Sequence, residues 1–270
     1  MRTSLPNPNS SSKAQTAFRR RVVAVWGVLL ALFVLFFYTF NLKISYMVEK
    51  FPALAGFNLS ANDFLQGAAL TLFVCAVSII ASILLGTLAA LGRLSGSSML
   101  YGMATFYTSF FRGTPLLVQI FLIYIGIPQL GPVPEAIPAG IIALSLNYGA
   151  YLSEIFRAGL ISVNKGQREA SCALGLPNWL TFWKIVLPQA MRFVIPPTGT
   201  QFIAMLKDSS LISMMGVAEI MFLAQAYGRS TYRYLEMLTT AALIYWIMSL
   251  AFEILQSRLE AHYGKGFRDR

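Results

Sequence analysis

The feature that most constrains this chain is a series of long apolar runs, the first being Val22–Phe40, 19 residues without a charge. About 20 helical residues cross a hydrocarbon core some 30 Å thick, and a helix satisfies its own backbone N–H and C=O groups there. Further runs occupy Phe64–Leu91, Met99–Gln129, Ala136–Gly159, Pro196–Tyr227 and Leu235–Leu255. The third and fifth runs are too long for one straight crossing and contain charges. Gly113-Thr114-Pro115 and Pro196-Pro197 mark kinks or interfacial helix starts within them. The pattern predicts an all-α, polytopic membrane protein with six spans. A cleaved signal peptide is the competing account of the first run, but its apolar stretch is normally about 7–15 residues and ends in small residues. This run is longer and ends in Phe36-Phe37-Tyr38, so a retained span is expected.

Charge content agrees, and charge distribution orients the spans. Only 12% of residues are charged, about half the share in ordinary soluble domains. The net charge of +10 raises the question of nucleic acid, but the excess is spread over tails and loops that flank apolar runs, which argues against a nucleic-acid groove. With the N-terminus inside, cytoplasmic segments hold Arg2, Lys13, Arg19, Arg20, Arg21, Arg93, Arg157, Lys165, Arg168, Lys184, Arg192, Arg258, Lys265, Arg268 and Arg270. External segments hold only Lys43, Lys50, Arg229 and Arg233. Lys and Arg accumulate on the cytoplasmic side of membrane proteins, so both termini are expected there. Residues 1–21 read as a disordered basic tail. Cys75 and Cys172 fit no metal or disulfide spacing and read as structural; His262 reads as a solvated tail residue.

One cytoplasmic segment, Leu160–Ile195, is longer than a connector needs to be. Lys165–Leu174 suits a short helix capped by Gly175. Pro177 can open a second helix, Asn178–Leu187, because a first turn needs no N–H from it. Trp179, Phe182, Trp183 and Val186 fall on one side of that helix, and the run ends at Pro188. By pattern alone the pair is either a knob for a groove on a soluble partner or an amphipathic pair lying on the membrane.

Glu169-Ala170-Ser171, Gly175, Ile185, Leu187 and Pro188 resemble the coupling motif of ABC-importer permeases, E-A-A, three residues, G, nine residues, I-x-L-P. Ser171 replaces the second alanine, a small residue for a small one. Phe111–Gln119 (FRGTPLLVQ), Gly149–Gly159 (GAYLSEIFRAG), Lys165–Ala170, Leu187–Ala190 and Pro196-Pro197 are similar to the polar amino acid branch, the histidine/glutamate/glutamine/arginine/opine permeases. Thr200 and Ser209 depart from that branch, which usually has Asn and Thr there. The resemblance extends over about Gln66–Glu253.

The resemblance implies a type I ABC-importer transmembrane fold with a five-helix core at 64–258. One extra N-terminal span and an external loop occupy 22–63, and a cytoplasmic tail 259–270. It further implies a second permease, identical or different, a cytoplasmic ABC ATPase dimer that binds ATP and Mg, and an extracytoplasmic solute-binding protein in the bacterial cytoplasmic membrane. The fixed spacing, the inside location and the flanking signatures decide for the partner knob, with Glu169 expected to meet the partner or to cap its own helix. No cofactor or metal is expected on this chain. No Walker pattern, metal cluster or nucleophile–base pair is present, so the chain should not hydrolyse ATP itself.

Charges inside spans are expensive and therefore candidates for function. Lys207 and Asp208, placed near the midplane by counting from Pro196, are pathway candidates or else satisfy neighbours within the helix bundle. Arg112 either meets a substrate carboxylate or sits at the cytoplasmic interface, if the third span begins at Thr114. Glu154 is a further candidate, although Arg157 three residues on suits a local pair. This mixed set suits zwitterions, while the particular cargo stays open. A secondary transporter would instead show internal repeats and coupling-ion ligands; no convincing repeat is found.

Overall fold

The computed structural model describes residues 12–39, 42–57 and 65–263, and every regular element among them is a helix. The chain divides into two units, Met1–Tyr46 and Met47–Arg270. The first holds α1 (Ser12–Tyr38), which contains the apolar run from Val22. The expected tail to Arg21 needs correction: from Ser12 onward it is part of α1. Once a helix is nucleated each added residue gains a hydrogen bond, and Ala14-Gln15-Thr16-Ala17 contains nothing to stop it. The first 11 residues of that tail, the run ends Phe40 and Phe64, most of the external loop between them and residues 264–270 lie outside the described residues.

The second unit begins within α2 (Ile44–Leu54) and continues through α3 (Gly67–Leu94), α4 (Ser98–Gly113), α5 (Leu116–Phe121) and α6 (Ala136–Ser162). It goes on through α7 (Lys165–Ala173), α8 (Asn178–Thr181), α9 (Leu187–Asp208), α10 (Ile220–Thr231) and α11 (Tyr234–Tyr263). Among the described residues three helices, α3, α6 and α11, are long and apolar enough to cross a membrane. Two further crossings are broken: Ser98–Gly113 with Leu116–Leu130 bends by 107°, and Asn178–Met215 with Ile220–Thr231 by 50°. With each bent pair taken as one span, these helices make up to five crossings.

The Gly113-Thr114-Pro115 break falls where the sequence places it, but the other prolines behave differently. Pro188 does not end a helix: α8 passes through a π-helical turn, Phe182–Val186, directly into α9. Pro196 and Pro197 lie inside α9. A helical proline lacks a donor and crowds the carbonyl four residues back. The π turn before Pro188 widens the backbone and relieves that crowding, and Leu122–Gly126 does the same two residues before Pro128. Around Pro196 side chains add hydrogen bonds to neighbouring carbonyls of the helix. The Thr198 hydroxyl donates to the Val194 carbonyl at 2.8 Å, and Gln256 Nε2 of α11 donates to the Pro196 carbonyl at 3.0 Å.

Within lipid, helices associate through close packing and interhelical hydrogen bonds more than through apolar burial. α3 and α6 meet along small residues: a Cβ on Gly86 would lie 2.9 Å from Leu152 Cβ. Ser82 Oγ donates to the Ser145 carbonyl at 3.2 Å in the same seam. Ala89 and Ala90 are also buried. Ala76 is not; it stands one residue off the buried stripe of Cys75, Ser78, Ser82 and Gly86. Gly159 of α6 brings α9 equally close, since a Cβ there would lie 2.4 Å from Val194 Cγ2. Gly159→Ala is therefore expected to destabilise the chain by about 1–3 kcal/mol through overpacking, and adding Val194→Ala should recover most of it. Thermal melting of the detergent-solubilised protein checks this; an unchanged midpoint for the single variant would contradict it.

Candidate functional site

Two places carry the candidate residues. The first is the α7–α8 segment. Asn164 Oδ1 accepts from the Gly166 N–H at 2.8 Å and caps α7, so Glu169, in mid-helix, is not the cap. Glu169 and Ala170 are exposed, whereas Ser171 is buried at 1% exposure with its hydroxyl donating to the Gln167 carbonyl at 2.6 Å. A large side chain would not fit at 171, which is the physical reason for a small residue there. α7 ends in a paired cap: Gly175 N–H donates to the Cys172 carbonyl at 2.9 Å, and Leu176 N–H to the Ser171 carbonyl at 3.0 Å. This double bond pattern requires the left-handed backbone found at Gly175, φ +71°.

Pro177 stands just before α8, its carbonyl accepting from the N–H groups of Leu180 and Thr181 at 3.0 Å each. The apolar stripe of the second helix divides. Val186 is buried with Val163 and Ala190 against Phe182 and Leu160, while Trp179 and Trp183 are exposed at 65% and 60%. Ile185 and Leu187 are half-buried and Pro188 is exposed. Leu174 is exposed as well, as is Cys172, which is therefore not the buried hydrophobe expected; Cys75 is. The segment is thus pinned from within by Ser171, Val186 and the Gly175 cap, with an outward face of Glu169, Ala170, Leu174 and Trp179.

The second place is a cavity of ≈ 490 Å³ built where both broken crossings break. The break after α4 contributes Arg112, Gly113, Thr114 and Pro115, α9 contributes Gln201, Ala204 and Asp208, and α6 contributes Asn147, Tyr148 and Tyr151. Irregular backbone at membrane depth is tolerated where it is buried in protein or lines a polar cavity. Here the carbonyls freed at the end of α4 are satisfied by side chains. Gln119 Nε2 donates to the carbonyls of Phe111 and Thr114 at 2.9 and 3.1 Å, and Asn147 Nδ2 to the Phe111 carbonyl at 3.1 Å. Gln119 Oε1 accepts from Asn147 at 3.1 Å, which fixes both amides.

Asp208 closes α9 at the far side, its Oδ2 accepting from the Tyr148 hydroxyl at 2.7 Å. The depth counted from Pro196 loses its origin, since α9 begins at Leu187; what locates Asp208 is the break itself. Lys207 is exposed and does not line the cavity. Arg112 lies 5.4 Å from the centre of the Tyr151 ring and 4.0 Å from Glu154. Glu154 is not a lining residue: its carboxylate accepts from Arg157, as the sequence suggests, and also from Arg93 of α3. Thr200 and Ser209, the two departures, face away; Thr200 Oγ1 accepts from Gln256 at 3.1 Å and Ser209 is fully buried.

Sequence reasoning passes over Asn147, Tyr148 and Gln201 when only full charges inside spans are weighed; an amide within an apolar run carries the same signal. It also passes over Glu219, which is fully buried just ahead of α10. Glu219 Oε1 accepts from the Phe222 N–H at 2.9 Å, capping α10, and Oε2 accepts from the Tyr245 hydroxyl of α11.

Apolar crossings, a polar cavity at their breaks and a braced knob on a long connecting segment define a membrane transport component. The chain belongs to the family of binding-protein-dependent transport system inner membrane components, whose model matches residues 82–265. It is a permease subunit and not an enzyme. It is 39% identical over 197 residues to the arginine transport system permease protein ArtQ of Bacillus subtilis (strain 168), covering 73% of this chain and 90% of ArtQ. It is 40% identical over 194 residues to the L-cystine transport system permease protein TcyB of the same organism, covering 70% of this chain and 83% of TcyB. Among solved structures it is similar to an amino acid ABC transporter crystallised with histidines. The TM-score is 0.73 at 35% identity, over 82% of this chain and 99% of that one. The expected ABC-importer fold is therefore the fold found.

Proposed function

We propose that this chain is the permease through which an ATP-binding-cassette importer moves a polar amino acid, or a related small zwitterion, across the bacterial cytoplasmic membrane. A cytoplasmic ATPase dimer, which binds ATP and Mg, docks on Glu169, Ala170, Gly175 and the helix up to Ile185, Leu187 and Pro188, with Ser171 bracing it from within. An extracytoplasmic solute-binding protein delivers the cargo, and a second permease completes the pathway. Both termini are cytoplasmic, and α1 is a sixth span added ahead of the transport core at 64–258.

One observation carries this reading. From Asn178 to Asp208 the backbone is helical without interruption, a path of roughly 45 Å at helical rise, with the docking segment at one end and the cavity at the other. A movement imposed on α7–α8 by ATPase closure is delivered along this helix to Asp208, where a flexible loop would dissipate it. In the cavity, Arg112 faces the substrate carboxylate and Asp208 its ammonium group, while Glu154 holds the guanidinium groups around it and sets the position of Arg112. Lys207 takes no part in the binding. The relatives named for arginine and cystine transport support the cargo class without choosing within it.

The test is uptake of radiolabelled arginine, glutamine and cystine by proteoliposomes holding the chain, its ATPase and the binding protein. Uptake of at least one that requires ATP is expected. Uptake that persists without ATP and follows an ion gradient would overturn the reading in favour of a secondary transporter.

A further inference from the structure

The end of the molecule opposite α7–α8 carries a strained residue. Trp183 and Leu187 share one apolar cleft with Leu255 and Leu259, so the C-terminal part of α11 lies beside the docking segment. The start of α11 at Tyr234 is then roughly 40 Å away along the helix. There α10 ends at Thr231, and Tyr232 follows with φ 56° and ψ 30°. Among the described residues it is the one non-glycine with positive φ. Helices usually place glycine at this position, because a Cβ crowds the left-handed backbone.

The turn itself demands that backbone. The N–H groups of Tyr232 and Arg233 both donate to the Gly228 carbonyl, the latter at 2.9 Å. Gly228 packs against the next helix so closely that a Cβ would lie 3.1 Å from Tyr234 Cα. Glycine at 232 would satisfy all of this without strain. Tyrosine gives the fold nothing in return, since Tyr232 is 92% exposed. A strained residue kept where a relaxed one would serve points to a use outside the chain's own packing.

Its neighbours indicate what that use is. Arg233 pairs with Glu236 at 3.0 Å, and Lys50, beside α10 over the Tyr227 ring, pairs with Glu49 at 2.7 Å. Arg229, exposed in the last turn of α10, has no carboxylate partner among the described residues. Arginine and tyrosine are among the residue types that carry most binding energy at protein interfaces, and the charge of Arg229 favours an acidic counterpart. We infer that Arg229 and Tyr232 form the docking point for an acidic-rimmed face of the extracytoplasmic binding protein. This rests on the importer reading, which puts α7–α8 on the ATPase side and hence this end outside.

Tyr232→Gly separates the possibilities because it pushes folding and docking in opposite directions. The complex of this chain with its second permease and ATPase is reconstituted in nanodiscs. Its ATPase rate is measured against increasing concentrations of its extracytoplasmic binding protein. Tyr232→Gly and Arg229→Glu are each expected to raise the half-stimulating concentration about tenfold, with the unstimulated rate unchanged. The melting temperature of Tyr232→Gly is expected to match or exceed that of the wild type. A photo-crosslinking p-benzoylphenylalanine at position 232 is expected to capture the binding protein. Half-stimulating concentrations equal to wild type for both variants overturn the docking point while leaving the importer reading intact. A lowered melting temperature without altered stimulation overturns it in favour of a membrane-interface anchor, and capture of the second permease alone overturns it in favour of a subunit contact. A wild-type complex that the binding protein does not stimulate overturns the importer reading and this surface together.

Discussion

Gly175→Asp is expected to leave the chain folded and in the membrane while reducing ATPase co-purification at least tenfold and abolishing ATP-dependent uptake. The backbone at 175 is left-handed, φ +71°, and a Cβ there meets nothing within 4 Å. An added side chain therefore clashes with no part of this chain. Asp enters the left-handed region more readily than most residues, so the cost to the α7 cap is of the order of 1 kcal/mol or less. That is too little to unfold a helix pair also held by Ser171, Val186 and the Asn164 cap. The tenfold loss, equivalent to about 1.4 kcal/mol of binding, must then arise on the outer face, where the carboxylate stands in the way of a close-fitting groove. Gly175→Asn is the control, since it keeps the left-handed tolerance and adds no charge. Bulk without charge is expected to give an intermediate loss. Co-purification of ATPase with Gly175→Asp at the wild-type level would show that Gly175 serves its own helix alone.

The Gly175 cap is legible in the sequence because only one backbone geometry closes a helix that way, and glycine marks it. The crossings are legible for a related reason: lipid leaves the backbone few solutions, so long apolar runs translate directly into helices. Pro188 reads wrongly as a terminator because proline's effect depends on the turn before it. The π turn at Phe182–Val186 leaves no trace in a single sequence, and it converts an apparent stop into a continuous helix. Glu154 shows the other limit. Its neighbour Arg157 is visible three residues on, but Arg93, 61 positions earlier, meets it only because α3 and α6 pack closely at Gly86. Tertiary partners of this kind are set by the packing seam and not by local spacing.

Lys207 and Asp208 stand side by side in the sequence and have equal claims there; the fold gives them unequal ones, and transport should follow. Asp208→Asn is expected to raise the uptake KM for a zwitterionic amino acid at least tenfold, with ATPase co-purification unchanged. The amide oxygen can still accept from the Tyr148 hydroxyl, which lies 2.7 Å from the carboxylate now, so the break after α9 keeps its shape while the negative charge is lost. A charged hydrogen bond to substrate contributes roughly 1.5–3 kcal/mol, enough for a tenfold effect or more. Arg112→Gln is expected to act similarly on the carboxylate side. Its effect should be the larger on KM for ligands with a free carboxylate and absent for their amides, because an amide offers no charge to lose. Lys207→Gln is expected to change uptake by less than about twofold, since surface substitutions away from packing and binding features usually shift energies by no more than about 0.5 kcal/mol. Equal losses from Lys207→Gln and Asp208→Asn would mean that charge at the end of α9, and not the cavity wall, governs transport. A full retention of uptake in both Asp208→Asn and Arg112→Gln would remove the cavity from the pathway. The contrast is informative because the two substitutions differ by one position along the helix, about 100° of rotation, and only Asp208 is turned onto the surface shared with Tyr148 and Arg112.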